Sequence, residues 1–348
     1  MIKAPRLSKN DTVAIISLSS GIGGEPDFRY RYEIGKNRLE TEFGLKVVTM
    51  PNALKGIEYL DNHPEARASD LIAAFKDTTI KAIICMTGGD DTIRLLDYID
   101  FEVIKNNPKI FMGYSDTTSN HFMMYKAGLV SFYGPCILVE FAENVAMHEY
   151  TKQHIQNMLF QPSLTLPISP SPIWTSEFVE WADESNSKIA RTMTNDNKGF
   201  ELLQGTGIVQ GRLLGGCIDV FPMILGTKIW PALEEWNEIM LFLETSEDCP
   251  RPNDVKYILR NLAAQGIINR ISGIIFGKPY HEKYYEEYKQ VLIQVIGKES
   301  HRHDLPILYN VNFGHTEPKC ILPYGVLSEI DCGKKSFRLL ESGVKNSS

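Results

Sequence analysis

The stretch FMGYSDTTSN, residues 111–120, passes from an apolar strand directly into a predicted helix, with Ser115 at the junction. Gly113 permits a sharp backbone path just before it, and the Asp116 N–H would lie free at the positive end of the helix dipole. Ser115 could therefore be a nucleophile whose neighbour donates to an oxyanion. It could also be a helix cap, which this stretch alone favours, since Thr117 replaces the second glycine of a nucleophile elbow.

A second candidate is the sequence TGGDD at residues 87–91. Gly88 and Gly89 follow a predicted strand and leave backbone N–H groups uncovered, which could hold a phosphate or an oxyanion. Two alternatives stay open here. The glycines could form a tight turn and nothing more, or the loop could belong to a nucleotide kinase, although Asp91 stands where such loops usually have a third glycine.

A serine nucleophile needs a base and a group that orients the base. Glu244 directly follows the apolar residues LFL, where an unpaired buried carboxylate would be costly, and His315 directly follows the apolar run ending in NFG. Most of the other histidines lie in helical or polar stretches, where a surface role is the expectation. His301 and His303 could suggest zinc, but no cysteine or carboxylate spacing supports a metal site there. Ser115, Glu244 and His315 each lie at the terminus of a predicted strand, which favours a joint catalytic role.

The elements that would position these side chains alternate between strand and helix patterns from residue 11 to about 160. Nearly continuous apolar strands separated by helices predict a parallel sheet covered on both faces, with ligands beyond the carboxyl ends of its strands. We therefore predict an N-terminal α/β domain over residues 1–160. The predicted strands are 12–17, 45–50, 81–86, 109–114 and 129–134. The main predicted helices are 65–77 and 117–128.

Residues 161–204 are rich in proline, serine and charge, and they predict a long connection between domains. Residues 205–348 predict a second, smaller α/β domain. Its main elements are predicted strands at 239–245, 271–277 and 305–315 and a helix at 253–266. A hairpin is predicted at 328–340, with Gly333 in its turn.

Composition narrows the function classes. The net charge of −7 and pI near 5.7 argue against a nucleic-acid polymer as partner. Six cysteines without CxxC spacing predict reduced thiols rather than disulfides. No stretch has the apolar length of a membrane helix or of a signal-peptide core, so we expect a cytoplasmic protein with no membrane partner.

Five motifs in order, GYSDTT, TGGDD, GRLLGG, LFLETSED and NFGHTEP, resemble the LD-carboxypeptidase family of serine peptidases. Within that family they are most similar to the branch containing the microcin C immunity peptidases. The resemblance runs from DTVAIIS to LPYG. It implies a triad assembled across two domains, with Ser115 as nucleophile, His315 as general base and Glu244 as its orienter.

The resemblance also implies an oxyanion hole made by backbone N–H groups of Gly88, Gly89 and Asp116. It implies no metal and no cofactor, and a homodimer as the assembly.

For the substrate, the resemblance implies a small molecule, either a peptidyl- or aminoacyl-nucleotide or, as the alternative, a murein tetrapeptide that loses D-alanine. Trp174 and Trp181 in residues 161–204 favour the nucleotide, because the resemblance implies a nucleobase stacked on aromatic residues of this region. Such stacking contributes about 1–3 kcal/mol per base. The two tryptophans could instead only anchor the connection. Cys217 stands where the family often has asparagine, at a position expected to touch substrate. A non-catalytic or kinase-like nucleotide-binding protein is the third possibility.

Overall fold

The computed structural model describes residues 1–345, which divide into two compact units. The first unit contains Met1–Pro162, Glu177–Thr192 and the described residues from Gly343 onward. The second contains Ser163–Ser176 and Met193–Ser342. Each unit is an α/β layer structure built on its own sheet, so the predicted fold class is confirmed.

The five strands of the first unit pair in parallel. Its strands are β1 (Thr12–Ile16), β2 (Lys46–Thr49), β3 (Ile80–Cys85), β4 (Ile110–Gly113) and β5 (Phe132–Tyr133). They lie in the order β5-β4-β3-β1-β2. Strands β1, β3 and β4 are almost wholly buried, as expected for a sheet with helices on both faces, and they follow the predicted runs within a residue.

Helices cover this sheet. They are α1 (Arg29–Thr41), α2 (Ile57–Asn62), α3 (Pro64–Lys76), α4 (Phe101–Asn106), α5 (Thr117–Lys126) and α6 (Glu149–Ile155). Pro64 occupies the first turn of α3, where its missing N–H costs nothing. Nearly every residue of α5 is buried, so the helix that follows Ser115 is held in the interior of the unit. The two helices predicted for this region are confirmed to within two residues.

The second unit has a mixed sheet whose centre is parallel. The strands within the residues of this unit are β6 (Leu166–Ile168), β7 (Ile173–Trp174), β8 (Thr194–Asn195), β9 (Glu201–Gln204), β10 (Ile208–Cys217), β11 (Ile239–Glu244), β12 (Gly273–Gly277), β13 (Ile307–Val311), β14 (Leu322–Pro323), β15 (Leu327–Asp331) and β16 (Ser336–Leu339). Eight of them form the order β6-β16-β15-β10-β11-β12-β13-β9. Strands β10 to β13 are parallel, while β15, β16, β6 and β9 pair antiparallel at the two edges.

Helices α7 (Phe221–Ile224), α8 (Pro252–Ala264) and α9 (Tyr285–Leu292) complete the second unit. Helix α8 confirms the predicted helix at 253–266. Its buried residues Val255, Leu259 and Leu262 recur at helical spacing, which gives it one apolar face. Among the helices of residues 1–345, none is long and apolar enough to cross a bilayer.

Residues 161–204 differ from the simple connection that their composition predicts. Strand β6 adds to the sheet edge at β16, with Ile168 opposite Phe337, and β9 adds to β13. Residues 177–192 belong instead to the first unit, where the Arg191 guanidinium is ion-paired with the buried carboxylate of Glu143. Strands of three or four residues with mixed polarity carry too little periodicity to be recognised in the sequence.

The predicted hairpin at 328–340 is formed by β15 and β16, with Asp331 opposite Ser336. Gly333 lies in its turn, as predicted. The residue in the left-handed region is Lys335, however, with φ of 51°.

Candidate active site

Ser115 lies directly after β4 in a strained backbone conformation. Its φ is 63°, in the left-handed region that costs a non-glycine residue about 1–2 kcal/mol. The Ser115 N–H donates a hydrogen bond of 3.1 Å to the hydroxyl oxygen of Tyr133 on β5. Strain of this kind is maintained only where surrounding contacts enforce it, and it concentrates at functional sites.

His121 on α5 fixes the strand end that precedes Ser115. Burial lowers the pKa of His121 to about 3, so the ring is neutral. Its Nε2–H donates to the Gly113 carbonyl oxygen at 2.9 Å, and its Nδ1 accepts from the Ser131 hydroxyl at 2.8 Å. The expected surface role for this histidine is therefore wrong, because His121 is wholly buried between two hydrogen-bonding partners.

The Asp116 side chain connects two loops of the first unit. It is fully buried and makes no cap to its own helix. Its Oδ2 accepts from the Ser19 hydroxyl at 2.6 Å, after β1, and from the Thr92 N–H at 2.9 Å, after β3. Neither partner was predicted from the sequence. The serine-rich run SLSS directly after β1 was the signal that could have indicated Ser19. The carboxylate of Asp116 is thus structural, while its backbone N–H makes no hydrogen bond within residues 1–345.

Gly88 and Gly89 contact this junction closely. A Cβ added at Gly88 would lie 2.8 Å from the Cβ of Ser115 and 3.0 Å from its Oγ. One added at Gly89, whose φ is 152°, would lie 2.2 Å from the Ser19 hydroxyl. Neither N–H donates a hydrogen bond in the described part of the chain. The structure therefore brings Gly88, Ser115 and Asp116 together, and it leaves the backbone donors that an oxyanion would need unused.

An ion pair between Arg67 and Asp91 holds the segment that follows Gly88 and Gly89. Arg67 is fully buried on α3, and its two terminal nitrogens contact the two carboxylate oxygens of Asp91 at 2.6 and 2.9 Å. The same guanidinium donates to the carbonyl oxygens of Leu18 and Ser19 at 3.2 Å each. Asp91 is therefore the counter-ion of a buried arginine. This role accounts for an acidic residue at a position where a nucleotide-binding loop usually has glycine.

Replacing Asp91 with asparagine is expected to lower the free energy of unfolding by about 3 kcal/mol, because Arg67 then keeps a buried charge without its counter-ion. Asp61→Asn is the control, since its pair with Arg94 is exposed on both sides and such pairs contribute at most about 1 kcal/mol. Urea unfolding followed by circular dichroism measures both. Equal losses in the two variants would contradict the role given to Asp91.

In the second unit, Glu244 and His315 form a buried pair. Glu244 is the last residue of β11, and its Oε2 lies 2.8 Å from Nδ1 of His315. Two glycines make room for it. A Cβ added at Gly277 would lie 2.8 Å from the Glu244 Cβ, and one added at Gly314, with φ of 96°, would lie 2.6 Å from Oε2. Strand β13 ends at Val311, so His315 lies on a loop rather than at the predicted strand end.

The other ring nitrogen of His315 contacts Glu247, which sequence reasoning missed. Nε2 lies 2.9 Å from the Glu247 Oε2, and the Glu247 side chain is 59% exposed. The acidic run ETSED was the signal for a second carboxylate. Burial alone would lower the pKa of His315, but the charges and hydrogen bonds of Glu244 and Glu247 outweigh burial and raise it to about 10.

The same contact acts on Glu247. Burial would raise its pKa, but the hydrogen bond and the charge of His315 prevail and lower the pKa of Glu247 to about 2. At neutral pH the arrangement is therefore an imidazolium between two carboxylates.

Cys217 ends β10 in register with Glu244 on the neighbouring strand β11. Its Sγ lies 3.5 Å from Oδ2 of Asp219, which also accepts from the Ser246 N–H at 2.7 Å. Burial, followed by the charges of Glu244 and Asp219, raises the pKa of the Cys217 thiol well above its usual value. The thiol is therefore protonated and a poor nucleophile.

Within residues 1–345, one group of His, Cys, Asp and Glu donor atoms is close enough to hold a metal ion. It consists of Cys217, Glu244 and His315, and it includes neither His301 nor His303.

The two tryptophans considered for nucleobase stacking lie in different units, and each is half-buried against a cation of its own unit. The Lys278 ammonium lies 4.7 Å from the ring centre of Trp174. The Arg31 guanidinium lies 4.3 Å from that of Trp181. Their contact with a substrate stays a prediction.

Comparison with protein families gives matches over both units. The family model for the LD-carboxypeptidase N-terminal domain matches residues 13–134, and that for the C-terminal domain matches residues 210–330. Among curated proteins, the microcin C7 self-immunity protein MccF of Escherichia coli is 28% identical, with 98% of this chain and 96% of that protein covered. A probable murein peptide carboxypeptidase of Bacillus subtilis is 27% identical, with 98% and 95% covered.

Solved structures show the same relationship. An MccF-like protein from Streptococcus pneumoniae, in complex with AMP, superposes with a TM-score of 0.87 and 35% identity, covering 95% of this chain and 98% of that one. MccF in complex with aspartyl sulfamoyl adenosine gives a TM-score of 0.84 and 25% identity, covering 99% and 100%.

Proposed function

Because the chain belongs to the LD-carboxypeptidase family, we propose that it is a serine peptidase that hydrolyses the amide of an aminoacyl- or peptidyl-nucleotide. The buried Glu244–His315 hydrogen bond is the observation that carries this chemistry. It fixes the ring through Nδ1 and leaves Nε2 as the nitrogen that can take a proton from a nucleophile. The nucleotide is supported by the relatives, whose structures hold AMP and aspartyl sulfamoyl adenosine.

In the proposed mechanism the Ser115 hydroxyl attacks the acyl carbon while His315 takes its proton at Nε2. His315 then gives this proton to the leaving nitrogen, which departs with the nucleotide part and leaves an acyl ester on Ser115. Water, deprotonated by the same histidine, hydrolyses the ester. Glu244 holds the ring and stabilises the imidazolium that forms in each step.

The negative oxygen of the tetrahedral intermediate would be stabilised by backbone donors at the same junction. The N–H groups of Gly88, Gly89 and Asp116 are the candidates, because none of them donates a hydrogen bond in the described residues. Gly88 packs against Ser115, Gly89 follows Gly88 in the same loop, and Asp116 follows Ser115. Such preorganised donors contribute to rate because they need no reorganisation as charge develops.

Glu247 opposes the first step in the present arrangement. It contacts Nε2, the atom that the mechanism needs, and together with Glu244 it raises the pKa of His315. We propose that Glu247 leaves Nε2 when substrate binds, since its side chain is largely exposed and can turn into solvent.

Glu247→Gln is expected to move the acid limb of the pH profile of kcat/KM to lower pH. Because the pKa of His315 is raised to about 10, the base is mostly protonated at neutral pH and activity rises with pH. Removing one carboxylate charge destabilises the imidazolium and lowers this pKa, so the limb should move down by about one pH unit or more. Asp248→Asn is the matched control, an adjacent exposed carboxylate without a hydrogen bond to His315. An unmoved limb in Glu247→Gln would contradict the proposed contact.

The substrate class is tested by incubating the purified protein with aspartyl sulfamoyl adenosine and following the products by mass spectrometry. Hydrolysis gives aspartate and sulfamoyl adenosine. No product at an enzyme concentration equal to that of the substrate would overturn the nucleotide proposal.

A second substrate class is favoured by the similarity to the probable murein peptide carboxypeptidase of Bacillus subtilis. Release of D-alanine from a murein tetrapeptide, with no cleavage of the sulfamoyl adenosine, would assign the chain to that class.

A further inference from the structure

Cys217, Glu244 and His315 form a compact set of donor atoms at the carboxyl end of the second unit's parallel strands. A sulfur, a carboxylate oxygen and a ring nitrogen from these residues all lie within 4.8 Å of one another. Two of the three are held by the sheet itself, because Cys217 and Glu244 are register partners on β10 and β11. All three side chains are buried, so the cluster is preformed rather than assembled from mobile surface groups.

We propose that this cluster is a binding site for a divalent transition-metal ion of borderline softness, such as Zn²⁺. Thiolate, imidazole and carboxylate are the donors that such ions prefer, and three protein ligands leave one coordination position open. Binding replaces the proton of the Cys217 thiol and the proton on the coordinating nitrogen of His315 with the metal, and both protons leave to solvent. No oxidation or reduction is involved.

The groups around the cluster are those that support metal ligands. A histidine that binds a metal through one ring nitrogen usually donates its other N–H to a carboxylate. Glu247 is already 2.9 Å from Nε2 of His315, while Nδ1 faces Glu244. Asp219 lies 3.5 Å from the Cys217 sulfur and is itself held by the Ser246 N–H. It is positioned either to orient the thiolate or to take the fourth position.

The charge at this place also favours a cation. Three acidic side chains, Glu244, Glu247 and Asp219, contact one imidazolium and one thiol, so acidic groups outnumber the single cationic group here. The cluster depends on the sulfur of Cys217, because Glu244 and His315 alone supply only two donor atoms.

Occupation of the site would block catalysis, and this consequence rests on the proposed function. A metal bound to Glu244 and His315 removes the base and its orienter from the proposed triad. The enzyme would therefore be inhibited reversibly by zinc and reactivated by a chelator.

The test uses Co²⁺ as a spectroscopic probe of the whole, metal-free protein. We expect an absorption band from thiolate-to-cobalt charge transfer in the wild type, loss of this band in Cys217→Ser, and its displacement by Zn²⁺. Cys249→Ser is the control and should keep the band, because Cys249 is buried but lies outside the cluster. Absence of the band in the wild type, or its persistence in Cys217→Ser, overturns the site.

Inhibition is measured separately, with each protein compared with its own metal-free rate. Zinc should lower the wild-type rate at least tenfold at a concentration that leaves Cys217→Ser unaffected. Cobalt binding to a protein that hydrolyses no substrate would support the metal site and count against the proposed function. Full activity in a zinc-loaded wild type would overturn the inhibitory consequence.

Discussion

Ser115→Ala is expected to lower kcat by about ten-thousand-fold or more, with little change in the affinity for substrate. The hydroxyl is the group that bonds to the acyl carbon in the proposed mechanism, so its loss removes the covalent route while the rest of the protein stays in place. Single-turnover measurements with aspartyl sulfamoyl adenosine separate the chemical step from binding.

Non-additivity makes this prediction specific to a triad. Ser115→Ala and His315→Ala should each cost nearly as much as the double variant, because each group acts only through the other. Glu244→Ala should cost less than either, since it orients the base rather than transferring a proton. Ser185→Ala, at an exposed serine in the first unit, is the control for the loss of a hydroxyl.

Two outcomes would argue against the triad. A large loss in only one of the three variants would show that the residues do not act as a unit. Nucleotide binding without hydrolysis, unchanged in Ser115→Ala, would favour the alternative of a non-catalytic nucleotide-binding protein.

Gly88→Ala is expected to lower kcat by about a hundred-fold while the protein stays folded. The added methyl group would lie 2.8 Å from the Ser115 Cβ and 3.0 Å from its Oγ, so either the serine or the glycine loop must move. A displacement of the reacting atom by about an ångström costs rate on this scale, and the backbone donors of the loop would move with it.

Gly333→Ala is the matched control, because its added Cβ would meet only the Asp331 carboxylate at 3.4 Å, an ordinary contact. Thermal unfolding of both variants checks that the folds survive. A folded Gly88→Ala protein with the wild-type kcat would contradict the placement of the nucleophile against this loop.

The sequence was most informative where a residue's position follows from local pattern. Buried parallel strands are continuous apolar runs, so the end of β4 before Ser115 and the end of β11 at Glu244 could both be read directly. Helix α8 was equally clear, since its apolar residues recur at helical spacing.

Contacts between distant segments could not be read in this way. Ser19 and Asp116 are 97 residues apart, and nothing in either stretch indicates the other as its partner. The same is true of Arg67 with Asp91, and of His315 with Glu247, because each pairing depends on how complete elements pack. The short edge strands β6 and β9 were missed for a related reason, since their pairing comes from the sheet they join rather than from their own composition.

The division of the chain between the two units has a consequence for synthesis on the ribosome. The first unit includes residues 177–192 and residues 343–345, and Lys345 exchanges backbone hydrogen bonds with Ala4 and Arg6. No continuous fragment therefore contains all of the first unit without also containing the second. We expect the first unit to acquire its full resistance to proteolysis only after the second has been translated, so that a nascent chain halted before residue 343 is still open to cleavage.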